Sequence, residues 1–250
     1  MPKFAVIIPA AGKSTRFRDR EKKPFATLDG RAVWLRSVEL FVTRDDVAQV
    51  ILVINADDQE MFRRRYTANI AFMNVQLALG GAERFESMDN ALALVKSEID
   101  FIAIHDAARP CVTEEQINLV FSEAALNGAA ILAAPIHDTI KRADAQRRIL
   151  ATEPRQGLWL AQTPQVFRRD WLLAAYAGRA KLGDQGADIT DDAQLVEAAG
   201  HPVHVVESSA LNVKITTKND LFLAEAVLKS RPKPKEKRPI HPFADEEMWK

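Results

Sequence analysis

Short runs of apolar, β-branched residues recur along this chain, separated by segments whose apolar residues repeat with the 3.6-residue period of a helix. The strand-like runs are 50–54, 75–79, 101–104 and 130–134, and the clearest helical segments are 33–42, 84–95 and 114–126. This alternation predicts an α/β fold in which helices cover both faces of a mostly parallel sheet. Ligands of such folds bind at the carboxyl ends of the strands, so the residues that follow each strand are candidates for a site.

The first predicted strand runs into a turn of small residues that is followed by cations, in the order Pro9-Ala10-Ala11-Gly12-Lys13-Ser14-Thr15-Arg16. The turn looks like the end of a phosphate-binding P-loop, but the first glycine of that motif would fall on Ile7, so a P-loop is excluded. A turn without bulky side chains leaves room for a flat base or a ribose, with Arg16 and Lys23 following to meet a triphosphate. A tight turn with solvated basic residues is equally compatible with this stretch alone.

Other predicted strand ends carry glycines and polar residues. They supply Gly80, Gly81 and Ser87 after the run 75–79, His105, Asp106 and Arg109 after 101–104, and Lys214 at a short late strand predicted for 212–216. Glycines permit a close approach of backbone, cations suit phosphates, and a carboxylate among excess cations can hold a divalent metal or a sugar hydroxyl. The set predicts a site for a nucleoside triphosphate and a second anion. We expect His105 to be a satisfied core histidine rather than a catalytic base.

Charge and cysteine content exclude several classes of protein. The 34 basic and 34 acidic residues cancel, so no overall field would hold a nucleic acid or an anionic membrane, and neither is expected as a partner. The single cysteine, Cys111, cannot form an internal disulfide and fits a reducing compartment, which favours a cytoplasmic location. No apolar stretch reaches the roughly 20 residues of a spanning helix, and no targeting signal is predicted.

The pattern changes after residue 135. Residues 136–160 hold two extended stretches around a polar segment and predict a β-hairpin arm that leaves the main sheet. Because an exposed arm is poorly stabilised alone, we expect it to pack on a second copy of the chain in a homodimer. Helices are predicted at 168–180, 191–199 and 220–228, with a strand at 203–207. One domain would span 1–229, and the Pro- and Lys-rich residues 230–250 would form a flexible tail.

Seven ordered motifs make this chain similar to a known family. They are Pro9-Ala10-Ala11-Gly12 with Arg16, Gly80-Gly81-x-x-Arg84-x-x-Ser87, Asp106-Ala107-Ala108-Arg109-Pro110, Ala133-Ala134-Pro135 leading to Asp138-Thr139-Ile140-Lys141, Gln162-Thr163-Pro164-Gln165, Ile189-Thr190-Asp191, and Asn212-Val213-Lys214-Ile215-Thr216. Over residues 4–229 the chain resembles the 2-C-methyl-D-erythritol 4-phosphate cytidylyltransferases of the non-mevalonate pathway of isoprenoid biosynthesis. The resemblance implies a Rossmann-like, three-layer nucleotidyltransferase fold with a mostly parallel sheet and a protruding β-arm.

The resemblance also implies a role for each matching residue. The catalytic residues would be Arg16, Lys23, Arg155 and Lys214, the nucleotide site Ala10, Ala11, Gly12, Gly80, Gly81 and Ser87, and the sugar phosphate site Asp106, Arg109, Thr139, Thr163 and Thr190. Thr139 and Arg155 would come from the arm of the second copy in a dimer. Asp106 would be the protein contact of a Mg²⁺ ion that bridges the triphosphate. The chain departs from the family pattern at Ser14, where glycine is common, and at Lys22-Lys23-Pro24, which leaves Lys22 as an alternative to Lys23.

The implied reaction is the transfer of CMP from CTP to 2-C-methyl-D-erythritol 4-phosphate with release of pyrophosphate. Positioning and charge stabilisation can carry such an in-line displacement, so no side-chain nucleophile is required. Two alternatives stay open: a cytidylyltransferase for a pentitol phosphate such as ribitol 5-phosphate, and a nucleotide-binding regulator without chemistry. The alanine before Arg109 resembles the methylerythritol enzymes, since valine is expected there in the pentitol enzymes. A regulator would be expected to lack the phosphate-facing cations, and all of them are present.

Overall fold

The computed structural model describes residues 1–12, 17, 24–179 and 189–231. The predicted catalytic residues Arg16 and Lys23, the alternative Lys22, and the part of the predicted tail beyond Arg231 lie outside the described residues. The elements in chain order are β1 (Phe4–Pro9), β2 (Thr27–Leu28), β3 (Arg31–Ala32), α1 (Val33–Val42), β4 (Val47–Ile54), a 3₁₀ turn (Ala56–Asp58), α2 (Gln59–Phe72), β5 (Val75–Leu79), α3 (Arg84–Leu92), β6 (Phe101–Ile104), α4 (Glu114–Asn127), β7 (Ala129–Pro135), β8 (Ile140–Ala143), β9 (Ile149–Glu153), β10 (Trp159–Arg168), α5 (Arg169–Gly178), α6 (Asp192–Ala198), β11 (His204–Glu207) and α7 (Lys218–Ser230).

Seven strands form the main sheet, in the order β11-β7-β10-β6-β1-β4-β5. Strand β1 pairs in parallel with β4 and β6, β4 with β5, and β7 with β11. Only β10, among the strands of this sheet that the structure describes, runs antiparallel to its neighbours, β6 and β7. The predicted α/β class with a mostly parallel sheet is therefore confirmed.

Helices cover both faces of the sheet because successive residues of each strand point to opposite sides. On one face, Val6 and Ile8 of β1 belong to an apolar cluster with residues of α1, α2 and α4, including Trp34, Phe62 and Phe121. On the other face, Ala5 and Ile7 belong to a cluster with residues of α3, α5 and α6, including Met88, Leu172 and Val196. Burial of each large apolar side chain contributes about 1.5 to 3 kcal/mol. These clusters make the predicted three-layer arrangement.

A smaller third cluster positions one wall of the site. It joins α7 and the β2–β3 hairpin to Phe17, Ala108, Val213 and Ile215. Ala108 follows β6, and Val213 and Ile215 flank Lys214, so this packing brings two distant segments of the chain to the end of β6. Phe17, the only described residue between positions 12 and 24, is buried in the same cluster.

Several local expectations are confirmed and one is wrong. The helix predicted for 33–42 and the strands predicted for 75–79 and 101–104 have the predicted bounds, and Thr113 and Gln116 form the expected capping box of α4. The strand predicted for 212–216 is absent. That segment is instead held by a hydrogen bond from the N–H of Ile215 to the carbonyl of Ala108, 2.8 Å away.

An antiparallel hairpin, β8–β9, occupies the middle of the segment predicted to be an arm. It forms a separate two-stranded sheet, whereas Trp159 and Leu160, the end of the predicted arm, pair with β7 in the main sheet. Whether the hairpin protrudes and joins two subunits stays a prediction. Within the described ranges, the helices are too short or too polar to cross a membrane.

Candidate active site

A cavity of about 670 Å³ opens at the carboxyl ends of β1, β4, β5 and β6. This is where α/β folds bind ligands, and the volume suits a small-molecule site. All six residues predicted for the nucleotide line it: Ala10, Ala11, Gly12, Gly80, Gly81 and Ser87. Asp106 and Lys214, predicted for the sugar phosphate and for catalysis, lie on the same wall. The structure thus brings together residues that are more than 200 positions apart in the sequence.

The turns after β1 and β5 meet over the end of β4. The N–H of Ala10 donates to the carbonyl of Val53, and the N–H of Gly80 donates to that of Ile54, each at 2.8 Å. A Cβ atom at Gly80 would lie 2.7 Å from the Cβ of Ala11, closer than two carbon atoms can approach. Glycine is therefore required at this contact, and the wall formed by the two turns has no bulky side chain.

Two hydrogen bonds of the Ser87 hydroxyl hold the turn after β5 in place. Its hydroxyl accepts from the N–H of Gly81 at 3.0 Å and donates to the carbonyl of Glu83 at 2.9 Å. Ser87 is buried and lies on the cavity wall. Helix α3 starts here with a capping box between Glu83 and Glu86, and Glu83 and Arg84 at its start line the same cavity.

Two cations flank the carboxylate of Asp106. The Nζ of Lys214 lies 2.8 Å from its Oδ2 atom, and the Nε of Arg109 lies 3.4 Å from the same oxygen. Burial alone would raise the pKa of Asp106, but the Lys214 ammonium and the Arg109 guanidinium lower it to about 2. Asp106 is therefore a carboxylate at neutral pH, and about a quarter of its side chain is exposed to the cavity.

The segment that carries Lys214 is anchored at both ends. Its Asn212 carbonyl accepts from Nη1 of Arg109 at 2.7 Å, and Ile215 is bonded to Ala108 as described above. The Asn212 side chain donates to the Thr163 carbonyl at 3.0 Å. These bonds replace the missing strand and fix Lys214 beside Asp106.

His105 is the core histidine that the sequence predicts. It is fully buried, with Nε2 lying 3.0 Å from the Arg109 carbonyl and Nδ1 lying 3.2 Å from the Thr163 hydroxyl. Burial lowers the pKa of the His105 ring to about 4, although the neighbouring Asp106 opposes the shift. The ring is therefore neutral at physiological pH.

Sequence reasoning missed the group that holds Arg84, which lines the cavity at the start of α3. The Nη2 of Arg84 lies 2.5 Å from Oδ2 of Asp192, and the hydroxyl of Tyr176 donates to Oδ1 of the same carboxylate. Burial and the Asp192 carboxylate raise the pKa of Tyr176. From the sequence, Asp192 reads as an acid in the first turn of a helix, which gives no hint of a distant arginine.

The remaining predicted residues that the structure describes are not on the wall of this cavity. The Arg109 and Thr163 side chains lie behind Asp106 in the network above, and Thr190 is exposed and bonded to Gln194. Thr139 and Arg155 are exposed next to the β8–β9 hairpin, where Arg155 donates to the His137 carbonyl. In this chain alone, neither residue reaches the cavity wall.

The described residues contain no cluster of three or more histidine, cysteine, aspartate or glutamate side chains able to hold a metal. The carboxylates among the described residues that line the cavity are Glu83, whose side chain caps α3, and Asp106, so a metal there would depend mainly on Asp106 and on ligand oxygens. That donor set fits Mg²⁺, which is commonly bound through one or two carboxylates together with substrate phosphates and water.

Comparison with known proteins agrees with this site. Residues 4–230 match the family model described as IspD: 2-C-methyl-D-erythritol 4-phosphate cytidylyltransferase. The protein of that name from Rhodopirellula baltica is 42% identical over 235 residues, covering 90% of this chain and 94% of the relative. The one from Endomicrobium trichonymphae is 42% identical over 228 residues, covering 91% and 100%. The crystal structure of the Francisella tularensis 2-C-methyl-D-erythritol 4-phosphate cytidylyltransferase has a TM-score of 0.75 and 29% identity, and the match covers 90% of this chain and 99% of that one.

The match extends over almost the whole described chain and includes both the sheet and the segment that carries Lys214. The matched range also contains every residue of this chain that lines the cavity. This chain belongs to the 2-C-methyl-D-erythritol 4-phosphate cytidylyltransferase family.

Proposed function

We propose that the cavity at the carboxyl ends of β1, β4, β5 and β6 is the active site of this enzyme. There the enzyme transfers the cytidylyl group of CTP to 2-C-methyl-D-erythritol 4-phosphate and releases pyrophosphate, a step of isoprenoid biosynthesis. The proposed location rests on one observation. Two turns of small residues and the Lys214–Asp106 ion pair lie in the same cavity. A flat base fits against turns without bulky side chains, and the Lys214 ammonium can attract phosphates.

The turns after β1 and β5 bind the cytidine part of CTP in this proposal. Ala10, Ala11 and Gly12 on one side and Gly80 and Gly81 on the other present backbone to the ligand, with Ser87 beneath them. Cytosine differs from uracil in its exocyclic amine, which donates hydrogen bonds to carbonyl oxygens. Backbone carbonyls beside glycine are accessible enough to accept them.

The phosphates lie toward Asp106 and Lys214. A phosphate oxygen of the sugar attacks the α-phosphorus of CTP in line, and pyrophosphate leaves from the opposite side. Two anions must come together, so the cations lower the barrier by compensating their charge. Lys214 serves this purpose on the described wall, and we assign stabilisation of the transition state to Arg16 and Lys23. Asp106, Arg109, Thr163 and Thr190 form the sugar phosphate side, in direct contact or behind it.

Mg²⁺ is the cofactor that suits this donor set. Asp106 is the described residue that would hold it, together with oxygens of the triphosphate. When bound, the ion neutralises charge on the transferred phosphoryl group. The protein holds Asp106 in place through the bonds described above.

A homodimer completes the site in this proposal, with Thr139 and Arg155 of each chain serving the cavity of the other. Support comes from apolar side chains on β9, just before β10 and at the start of β10, which would be covered by a partner. They are Ile149, Leu150, Leu158, Trp159 and Leu160, each at least 40% exposed in the single chain. We further propose that residues 1–229 act as one domain and that the enzyme works in the cytoplasm, where its buried cysteine stays reduced.

The direct test is release of pyrophosphate from CTP in the presence of 2-C-methyl-D-erythritol 4-phosphate and Mg²⁺. We expect turnover with this pair, and much less with UTP or with ribitol 5-phosphate. Faster turnover with ribitol 5-phosphate would identify a pentitol phosphate enzyme instead. Binding of CTP without release of pyrophosphate from any sugar phosphate would support a regulator.

A further inference from the structure

The two ring nitrogens of His105 have different and fixed roles. Nε2 lies 3.0 Å from the carbonyl oxygen of Arg109, which can only accept a hydrogen bond. The proton of the neutral ring must therefore be on Nε2, and Nδ1 is left as an acceptor. Nδ1 lies 3.2 Å from the hydroxyl oxygen of Thr163, which is its hydrogen-bond partner.

The hydroxyl of Thr163 is used twice. It accepts from the backbone N–H of Asp106 at 3.0 Å, and its own proton points to the bare Nδ1 of His105. A hydroxyl has one proton, so while it donates to His105 it has none to donate to a phosphate oxygen. The geometry is therefore that of an internal support and not of an anion contact.

The hydrogen bond from the Asp106 N–H to the Thr163 hydroxyl takes the place of a backbone hydrogen bond of the sheet. The pairing of β6 with β10 ends at Ile104, opposite Gln165, and His105 donates its N–H to Ile7 on the β1 side. The N–H of Asp106 points to the other side, where no strand carbonyl accepts it. The Thr163 hydroxyl accepts it instead.

Hydrogen bonds also connect His105 to Arg109, at the other end of the turn that carries the Asp106 carboxylate. The N–H of Arg109 donates to the Asp106 carbonyl at 2.9 Å, and the Arg109 carbonyl accepts from His105. His105 thus holds Arg109 directly and Asp106 through Thr163. Asp106 and Arg109 form the charged cluster with Lys214. Both are therefore held by hydrogen bonds on their buried side.

We propose that His105 and Thr163 are positioning residues for the reaction, and that they act as one hydrogen-bonded unit on the Asp106–Arg109 turn. The inference rests on the proposed function, because it concerns how the enzyme aims Asp106 at the phosphates. It also changes the role expected for Thr163. The Thr163 hydroxyl bonds to Asp106 and His105 and does not contact the sugar phosphate.

Matched substitutions test the unit. Thr163→Ser keeps the hydroxyl and should keep turnover within about threefold, whereas Thr163→Val keeps the shape and should lower kcat by about 100-fold, the cost of a small misplacement in an active site. His105→Gln can retain a donor near Nε2 but loses the Nδ1 acceptor, and it should lower kcat in the same direction. Thermal melting of each variant checks that it is folded at the assay temperature.

The double variant distinguishes a positioning role of Thr163 from a direct contact between Thr163 and the sugar phosphate. If the two residues act as one unit, His105→Gln combined with Thr163→Val should be no slower than the slower single variant. If Thr163 binds the sugar phosphate independently, the two losses in kcat/KM should multiply, and the proposal is overturned.

A measurement on the unmodified protein needs no activity and no variant. The ¹⁵N chemical shifts of the His105 ring should show a proton on Nε2 and none on Nδ1 at neutral pH. A proton on Nδ1 would overturn the relay even in an active enzyme. Conversely, failure of the wild-type protein to release pyrophosphate would contradict the proposed function while the ring measurement still tests the relay.

Discussion

At the scale of single residues, the charge of the site is set by contacts between segments that are far apart in sequence. Lys214 and Asp106 lie 2.8 Å apart on the cavity wall, and Arg109 approaches the same carboxylate from behind. Of these two cations, Lys214 lines the cavity and Arg109 does not. A ligand phosphate would therefore meet Lys214 first, whereas Arg109 mainly orients Asp106.

Lys214→Ala should lower kcat by about 100- to 1000-fold, because one donor aimed at developing charge contributes that much to catalysis. The thermal midpoint should change little, since about 40% of the Lys214 side chain is exposed. Lys229→Ala is the matched control, because Lys229 is also paired with a carboxylate, Glu225, on α7. Pyrophosphate release measures both. Near-normal turnover of Lys214→Ala would remove Lys214 from the mechanism.

His105 should make the folded state sensitive to acid at a pH well above the titration of Asp106. Its pKa is about 4 in the folded protein and about 6.5 when unfolded, so below pH 6.5 the unfolded state binds more protons and stability falls. The loss between pH 7 and pH 4 should be about 3 kcal/mol of unfolding free energy. Asp106, whose pKa is lowered to about 2, adds its own loss only below its ordinary value of 3.8.

Urea unfolding of the wild type and of His105→Asn at pH 7, 5 and 4 measures this effect. The variant should be less stable at pH 7 but should lose less stability between pH 7 and pH 4, because it has no ring to protonate. Parallel curves for the two proteins would show that another group causes the acid sensitivity.

Sequence patterns identified eight residues of the cavity wall but not the contacts that hold them in place. Asp106, Lys214 and the glycines could be found because they follow strands or belong to recognisable motifs. The contact between Arg84 and Asp192 could not, since it joins positions 108 apart and Asp192 looks like a residue that stabilises its own helix. Tertiary contacts of this kind have no local signal.

At the scale of elements, the site depends on two turns that fit against each other over β4. Gly80 comes so close to Ala11 that a Cβ atom there would force the two turns to shift, whereas a Cβ at Gly12 would have nothing within 4 Å. The two glycines therefore serve different purposes. Gly80 is required by the protein itself, and Gly12 leaves space that a ligand can use.

Gly80→Ala should lower the free energy of unfolding by about 1 to 3 kcal/mol, the usual cost of overpacking, and raise KM for CTP by about tenfold because the turns move apart. Gly12→Ala should leave unfolding unchanged within about 0.5 kcal/mol and still raise KM for CTP. Denaturant unfolding and initial rates separate the two effects. Equal destabilisation by both substitutions would contradict the distinction.

The elements that the sequence predicted correctly are those with a strong local pattern. Strands β5 and β6 and helix α1 have continuous apolar runs or clear periodicity, and their bounds agree with the structure. The long antiparallel strand β10 was not predicted, because its polar residues and Pro164 are accommodated by neighbours that the sequence does not reveal. The expected strand at 212–216 failed for the converse reason: its alternation is real, but Asn212 and Ile215 bond to side chains and turns instead of a ladder.

At the scale of the whole molecule, one chain supplies the nucleotide wall but not every predicted residue. Thr139 and Arg155 lie beside the β8–β9 hairpin and do not line the cavity, and apolar side chains near them are exposed. In a dimer with two-fold symmetry, the same hairpin surface of each chain would meet the other chain. Sedimentation of the wild type should therefore give the mass of two chains.

Mixing two inactive variants tests whether the chains share their sites. If Arg155 serves the cavity of the other chain, a heterodimer of Lys214→Ala and Arg155→Ala contains one cavity with both residues intact. Random pairing makes half of the dimers mixed, so about a quarter of wild-type activity should return after joint refolding. Lys214→Ala mixed with Ser87→Ala is the matched control, because both residues line the same cavity of one chain and no mixed dimer regains an intact one. Activity no higher than the sum of the separate variants would place Arg155 in the site of its own chain or outside it.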